Sequence, residues 1–118
     1  MEDNLIQLLE SFGYPVMRQG SLAPSEAYPD TFFTFWNSAE DGQSFYDNST
    51  ASVVYEYDVN IYSNDPALAY SLLLDARILL KSSGWIIASR GHDVPSDEIT
   101  HIGRGMQVQY LQYETINT

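Results

Sequence analysis

The sequence contains no cysteine and few basic residues. Its 118 residues include five lysines and arginines against sixteen aspartates and glutamates, which gives a formal net charge of −11. The absence of cysteine excludes a disulfide framework and a thiolate metal site. The shortage of cations argues against tight binding to DNA, whose phosphates require a cationic protein surface, and against binding to anionic membranes.

Long apolar runs are also missing. No stretch approaches the roughly 20 apolar residues that are needed to cross a bilayer. The N-terminal segment MEDNLIQLLESFG is acidic where a secretory signal would be basic, so we predict neither a membrane span nor a signal peptide. Apolar residues nonetheless make up 44% of the chain. At this length, such a composition predicts one globular domain over residues 1–118.

Two helices are predicted from apolar residues that recur every three or four positions. The first covers 4–12, and the second begins after the capping residues of the segment NDP at 64–66 and ends before Gly84. The second helix carries one broad apolar stripe, which should lie on a sheet. A further stripe lies on roughly the opposite side, where two interpretations remain open: the N-terminal helix covers it, or another subunit contacts it. The residues of this further stripe are Tyr70, Leu74 and Ile78.

About five strands are predicted, of which the third shows the clearest alternation. Its apolar positions run from Val53 to Ile61, whereas the intervening positions include Glu56 and Asp58. The order α-β-β-β-α-β-β predicts an α+β domain in which two helices pack on a mostly antiparallel sheet. The predicted strands cover 14–18, 31–37, 52–63, 85–89 and 106–114.

Three further features concern the strands and their connections. The second strand, TFFTFWN, is aromatic on both faces, which predicts that it is covered on two sides. The last strand changes phase near Leu111, which indicates a bulge or two covered sides. A long loop over 38–51 holds Phe45 and Tyr46 near its middle. These two aromatic side chains either anchor a protein partner or fold back over the sheet.

Two groups of residues are candidates for chemistry. Glu56 and Asp58 lie about 6.7 Å apart along one strand face, as an acid–base pair or hard-metal ligands could, but an acidic solvent-facing or channel-facing surface is the favoured interpretation. The segment 91–101, GHDVPSDEITH, gathers two histidines and three carboxylates without the spacing of a metal motif, so a polar turn is favoured. The sequence also lacks a nucleophile elbow and a glycine-rich phosphate loop. We therefore predict no catalytic, metal-binding or cofactor-binding residue.

Several segments together resemble a known family. They are the N-terminal helix followed by YPVMRQG, the strand TFFTFWN, the block YDVNIYSNDPALAYSLLLDARILLKSSGW, and SDEITHIGRG leading into MQVQYLQYE. In element order, length and patterning over roughly residues 1–114, the chain resembles the small tail-terminator proteins of long-tailed bacteriophages and prophages. These proteins are also called tail-completion or head–tail joining proteins.

The resemblance implies a structural protein and not an enzyme. Such proteins assemble as a ring, commonly a hexamer, that caps the tail tube and docks it to the head, so the implied partners are further copies of the chain, the major tail protein and the head connector. The implied location is the virion, at the tail–head junction, after synthesis in the bacterial cytoplasm. DNA would pass through the ring without tight binding. No cofactor is implied.

Specific residues acquire expected roles in such a ring. Phe45, Tyr46 and the stripe Tyr70, Leu74 and Ile78 are candidates for subunit or partner contacts. Glu56 and Asp58 are candidates for lining the channel, where carboxylates repel phosphates within a Debye length of about 10 Å. The alternative function is a small acidic adaptor that binds another protein through the 38–51 loop, and a metal-dependent enzyme is the third possibility.

Overall fold

The computed structural model describes residues 2–18, 29–44, 50–89, 91–96 and 100–115. The predicted α+β fold with a mostly antiparallel sheet and two packed helices is confirmed, with one strand more than the five expected. The elements are α1 (Glu2–Glu10), β1 (Val16–Arg18), β2 (Thr31–Ser44), β3 (Thr50–Ser63), α2 (Pro66–Ser82), β4 (Ile86–Ile87), β5 (His92–Val94) and β6 (Ile102–Thr115).

Three long strands form the centre of the sheet. The strand order is β1-β2-β3-β6-β4, and β5 also pairs with β6. The pair β1–β2 is parallel, and the other described pairs are antiparallel. β2, β3 and β6 each have 14 residues. At about 3.3 Å per residue, such a strand is roughly 46 Å long, which accounts for most of the 54 Å long axis of the molecule.

Both helices pack on one face of this sheet. On β3, Tyr57, Val59 and Ile61 are buried, as the alternation predicts, and Val59 lies in register between the buried residues Phe35 of β2 and Met106 of β6. α1 inserts Leu5 and Leu9 into the same core. The remaining buried core side chains come from β2, α2, β6 and the residue before β4: Phe33, Phe35, Ala69, Leu72, Leu73, Ala76, Leu80, Trp85, Met106 and Val108.

The residues that were predicted to begin and end α2 do so in the structure. The side chain of Asp65 accepts hydrogen bonds from the backbone N–H groups of Ala67 at 3.1 Å and Leu68 at 3.4 Å, which satisfies two donors at the helix start. Pro66 occupies the first turn. Gly84 has φ +97°, a left-handed conformation that glycine adopts without a steric penalty, and it follows the last turn.

The predicted loop over 38–51 is wrong for most of its length. β2 continues to Ser44, β3 begins at Thr50, and the two strands pair as a long hairpin with one irregularity between Asn37 and Ala39. Polar residues occupy these strands because cross-strand backbone pairing overrides a weak β propensity. Phe45 and Tyr46 lie outside the described residues.

β5 and β6 also differ from the prediction. The expected polar connection over 90–105 contains β5, and β6 begins at Ile102 because Gly103 and Gly105 continue the pairing with β3. β6 then pairs with β3 without a register shift. Of the two explanations for the phase change near Leu111, the bulge is therefore wrong, and the described irregularity lies in β2.

Candidate interaction surface

The outer side of α2 carries the apolar stripe that the sequence singles out. Tyr70, Leu74 and Ile78 are 63%, 48% and 60% exposed. They recur every four residues, so they line one side of the helix at about 100° per residue, while the core side chains of α2 occupy the opposite side. Of the two interpretations, coverage by the N-terminal helix is wrong, because α1 packs into the core and leaves the stripe open.

A cation lies over the aromatic ring at one end of this stripe. The guanidinium carbon of Arg104 lies 4.7 Å from the centre of the Tyr70 ring, and its Nη1 donates to Asp93 Oδ1 at 2.8 Å. The side chain of Arg104 is only 16% exposed. A cation over an aromatic face is attracted to the ring. Arg104 therefore orients Tyr70 while Asp93 balances its charge.

Two further cations lie beside the stripe, in a cleft between α2 and the edge strand β4. Arg77 and Lys81 line this open cleft of about 470 Å³ together with Trp85 and the chain from Ile86 to Ser89. Ile86 is 52% exposed. No described carboxylate forms an ion pair with Arg77 or Lys81. The cleft thus concentrates positive charge on an otherwise acidic protein.

The face of the sheet away from the helices holds the two carboxylates of β3. Glu56 accepts hydrogen bonds through both oxygens, from the Ser38 hydroxyl at 3.1 Å and from Gln109 Nε2 at 3.1 Å. Asp58 lies opposite Trp36 of β2, whose side chain is 48% exposed. Both carboxylates lie half-buried on this face, which we call the open sheet face, and Glu56 is held in position by both neighbouring strands.

The open sheet face is not acidic along its whole length. Asn60 and Tyr62, which share this face of β3, are buried at its other end. There the ring of Phe32 stacks on Tyr62 with a centroid separation of 5.3 Å, and His101 lies 6.2 Å from Phe32. The prediction that β2 is covered on both sides is thus correct near Phe32 and wrong at Trp36.

The segment 91–101 is spread out and does not gather its histidines. His92 pairs with Gly105 of β6. Gly105 follows His101 by four residues along the chain. His101 instead contacts the Thr100 hydroxyl and the carbonyl oxygen of Pro29, both through its ring nitrogens. Asp97 and Glu98 lie outside the described residues. Within the described ranges, no three histidine or carboxylate side chains are grouped closely enough to hold a metal ion.

Sequence reasoning did not identify Trp36, Ile86 or the pair Arg77 and Lys81 as surface features. The i, i+4 spacing of the two cations was visible, because it places them on one side of α2. The sequence did not predict that Arg77 and Lys81 lie beside the edge strand β4, since this depends on how the chain returns after Gly84. The sequence predicted Trp36 to lie on a strand covered on both sides because its neighbours are also aromatic.

Within the part of the chain that the structure describes, no helix is both long and apolar enough to span a membrane. Comparison of the sequence with protein-family models and with curated proteins finds no match to either.

Proposed function

We propose that this chain is a structural protein of a bacteriophage tail, which caps the tail tube and joins it to the head as a ring around the DNA channel. The observation that carries the proposal is the exposed stripe of Tyr70, Leu74 and Ile78 on a chain with a net charge of −11. Contiguous exposed apolar side chains on a soluble domain mark a contact surface. The similarity of the sequence pattern to tail-terminator proteins suggests that further copies of the chain form this contact.

The long β2–β3 hairpin supports the same role. Its two strands pair from Thr31 opposite Ser63 to Ser44 opposite Ala51, and β6 pairs with β3 as far as Thr50 opposite Thr115. Tyr55 is the last described residue of β3 that packs against the core, and backbone pairing continues beyond it to Thr50, so the strands extend past the part of the sheet that the helices cover. An arm of this kind provides a second surface for a neighbouring subunit or for the tail tube.

The open sheet face supports a channel role. Asp58 and Glu56 lie on the face away from the helices, and no described cation forms an ion pair with either carboxylate. In a ring that turns this face inward, their charges repel DNA phosphates within a Debye length of about 10 Å. DNA would then pass through the ring without being retained.

Charge reversal tests the channel role. We expect virions with Glu56→Lys/Asp58→Lys to eject DNA slowly, because two cations per subunit would then face the phosphates. The matched variant Glu56→Gln/Asp58→Asn removes charge and keeps the side-chain shapes, so it should eject DNA faster than the lysine variant. Normal ejection and titre for the lysine variant would contradict a channel-facing position.

Deletion of the gene from its phage or prophage tests the proposed function itself. We expect complete heads and separate tails that do not join, as seen by electron microscopy, and restoration of virions by a plasmid copy. Normal virions from the deletion strain would refute the proposal. Normal virions together with capture of a non-virion protein would favour the adaptor function instead.

A further inference from the structure

The far end of the sheet is a three-stranded arm with two outer edges that no described strand covers. We define the arm as residues 40–44 of β2, 50–55 of β3 and 110–115 of β6, which pair through their backbones. β1 pairs with β2 no further than Phe35. β4 and β5 pair with β6 no further than Gln109. Among the described residues, therefore, no strand pairs with either outer edge of the arm.

The backbone of β6 shows which groups point out from the arm. Gln107 donates its backbone N–H to Ser89 Oγ at 3.0 Å, and its carbonyl oxygen accepts from the Ala88 N–H at 2.9 Å. Both groups thus point away from β3. Successive residues of a strand direct these groups to alternate sides, and β6 pairs with β3 without a register shift. The N–H and carbonyl groups of Leu111 and Tyr113 therefore also point outwards.

The same alternation identifies the outward groups of β2. Tyr110 directs its backbone groups towards Tyr55 of β3, which pairs with it, so the next β3 residue, Val54, directs its own groups towards β2. Val54 pairs with Asp41. The N–H and carbonyl groups of Gly42 therefore point outwards, as do those of the residues two places before and after it.

The two outer edges match in position and in direction. Tyr55 of β3 lies opposite both Glu40 of β2 and Tyr110 of β6, so the edges begin at the same level of the arm. They continue to Ser44 and to Thr115. β2 and β6 both run antiparallel to β3, and therefore parallel to each other. A rotation about an axis along the arm preserves strand direction, so β6 of one copy can meet β2 of the next as a parallel pair.

We propose that β6 of one copy pairs with β2 of the next copy along these two edges, in a parallel, head-to-tail contact. This inference rests on the proposed ring, because each copy has one edge of each kind and a closed ring leaves neither edge free. The segment 110–115, YLQYET, contains neither lysine nor proline, which natural proteins place on edge strands to prevent pairing. The contact joins the arms of neighbouring copies into one continuous sheet.

Symmetric contacts fit the two edges less well. A twofold contact of β2 with β2 brings together two segments that each contain Glu40 and Asp41, and like charges on paired strands are destabilising. A twofold contact of β6 with β6 leaves both β2 edges unpaired, and a peptide from an unrelated protein would occupy one edge at a time. The head-to-tail contact satisfies both edges of every copy.

Proline substitution tests the contact because it removes a single outward N–H. Tyr113→Pro and Gly42→Pro each remove an N–H that points away from β3, and proline is tolerated on an edge strand in that orientation. Tyr113→Ala and Gly42→Ala retain the N–H and are the matched controls. Gln112→Pro controls for damage to the arm itself, because the N–H of Gln112 points towards β3 and pairs with it.

Self-association is measured by sedimentation velocity, with tail tubes present if the wild type requires them. We expect each outward proline variant to raise the dissociation constant at least about fivefold relative to its alanine control, because a hydrogen bond of the contact is lost and the proline ring blocks close approach. Both variants should unfold at nearly the same urea concentration as their controls, whereas Gln112→Pro should unfold at a lower one. Assembly as tight as that of the alanine controls would contradict the edge pairing.

Crosslinking identifies which edges meet, and it decides the question even if a proline variant unfolds early. The natural chain has no cysteine, so Gly42→Cys and Tyr113→Cys each carry a single thiol. We expect a short bismaleimide to join these two variants into a covalent dimer when they are mixed under assembling conditions, and to join neither variant to itself. Glu10→Cys, at an exposed position of α1, should not crosslink to Tyr113→Cys.

The outcomes separate this inference from the proposed function. If the wild type assembles but the mixed cysteine variants do not crosslink, the edge pairing is wrong and the ring survives. A dimer formed by Gly42→Cys alone, or by Tyr113→Cys alone, would overturn the head-to-tail contact in favour of a twofold one. If the wild type never assembles, even with tail tubes, both proposals fail.

Discussion

Removing the apolar stripe of α2 should weaken assembly without weakening the fold. The variant Leu74→Gln/Ile78→Gln replaces two side chains that are 48% and 60% exposed. Full burial of such a side chain contributes about 1.5–3 kcal/mol, so burial of the two exposed portions in a contact contributes roughly 2–3 kcal/mol. Loss of that contribution raises the dissociation constant of each contact about 30- to 140-fold.

The same variant should unfold at nearly the wild-type denaturant concentration. Glutamine is a good helix former, and exposed substitutions usually change the free energy of unfolding by less than about 0.5 kcal/mol. The matched control is Leu73→Ala on the buried side of the helix, which should lower the free energy of unfolding by about 2–5 kcal/mol.

Sedimentation velocity over a concentration series measures association, and urea unfolding followed by tryptophan fluorescence measures stability. Assembly of Leu74→Gln/Ile78→Gln as tight as that of the wild type would show that the stripe is not a contact surface. A loss of stability as large as that of Leu73→Ala would show that the stripe belongs to the core and not to a contact surface.

Three further predictions concern the fold itself. Gly105→Ala should lower the free energy of unfolding by about 1–3 kcal/mol in urea titrations, because a Cβ there collides with the side chain of Asn60; an unchanged midpoint would contradict that packing. Asp65→Ala should lower the free energy of unfolding by about 1 kcal/mol, measured by thermal unfolding, because it removes the α2 cap. Asp65→Asn should retain most of the stability that the cap provides. Ser63→Ala should lower the free energy of unfolding by about 1–3 kcal/mol, because it removes the hydroxyl that lies 2.8 Å from the buried Thr31 hydroxyl. Equal stability of variant and wild type would show that this hydrogen bond is dispensable.

Local patterns in the sequence predicted α2 and the inner face of β3 because both depend on near neighbours. The cap at Asp65, the left-handed Gly84 and the alternation through Tyr57, Val59 and Ile61 are each determined within a few residues. The exposure of Leu74 also follows from the helix period, once α1 is known to lie elsewhere.

Features that depend on distant pairing could not be predicted. The polar segment after Asn37 forms a strand only because β3 pairs with it. Asn60 is buried beside Gly105, in chain that returns after α2, although Asp58 on the same strand face is only half-buried. The cleft beside Arg77 and Lys81 forms because β4 brings Ile86 next to α2, and no pattern of neighbouring residues in the sequence predicts that approach.

Native mass spectrometry of the wild-type chain tests the central claim most directly. Over a concentration series, with and without tail tubes, we expect one closed multiple of the 13.3 kDa subunit, without a ladder of larger species. A chain that stays monomeric at every concentration and does not associate with the tubes would contradict assembly into a ring.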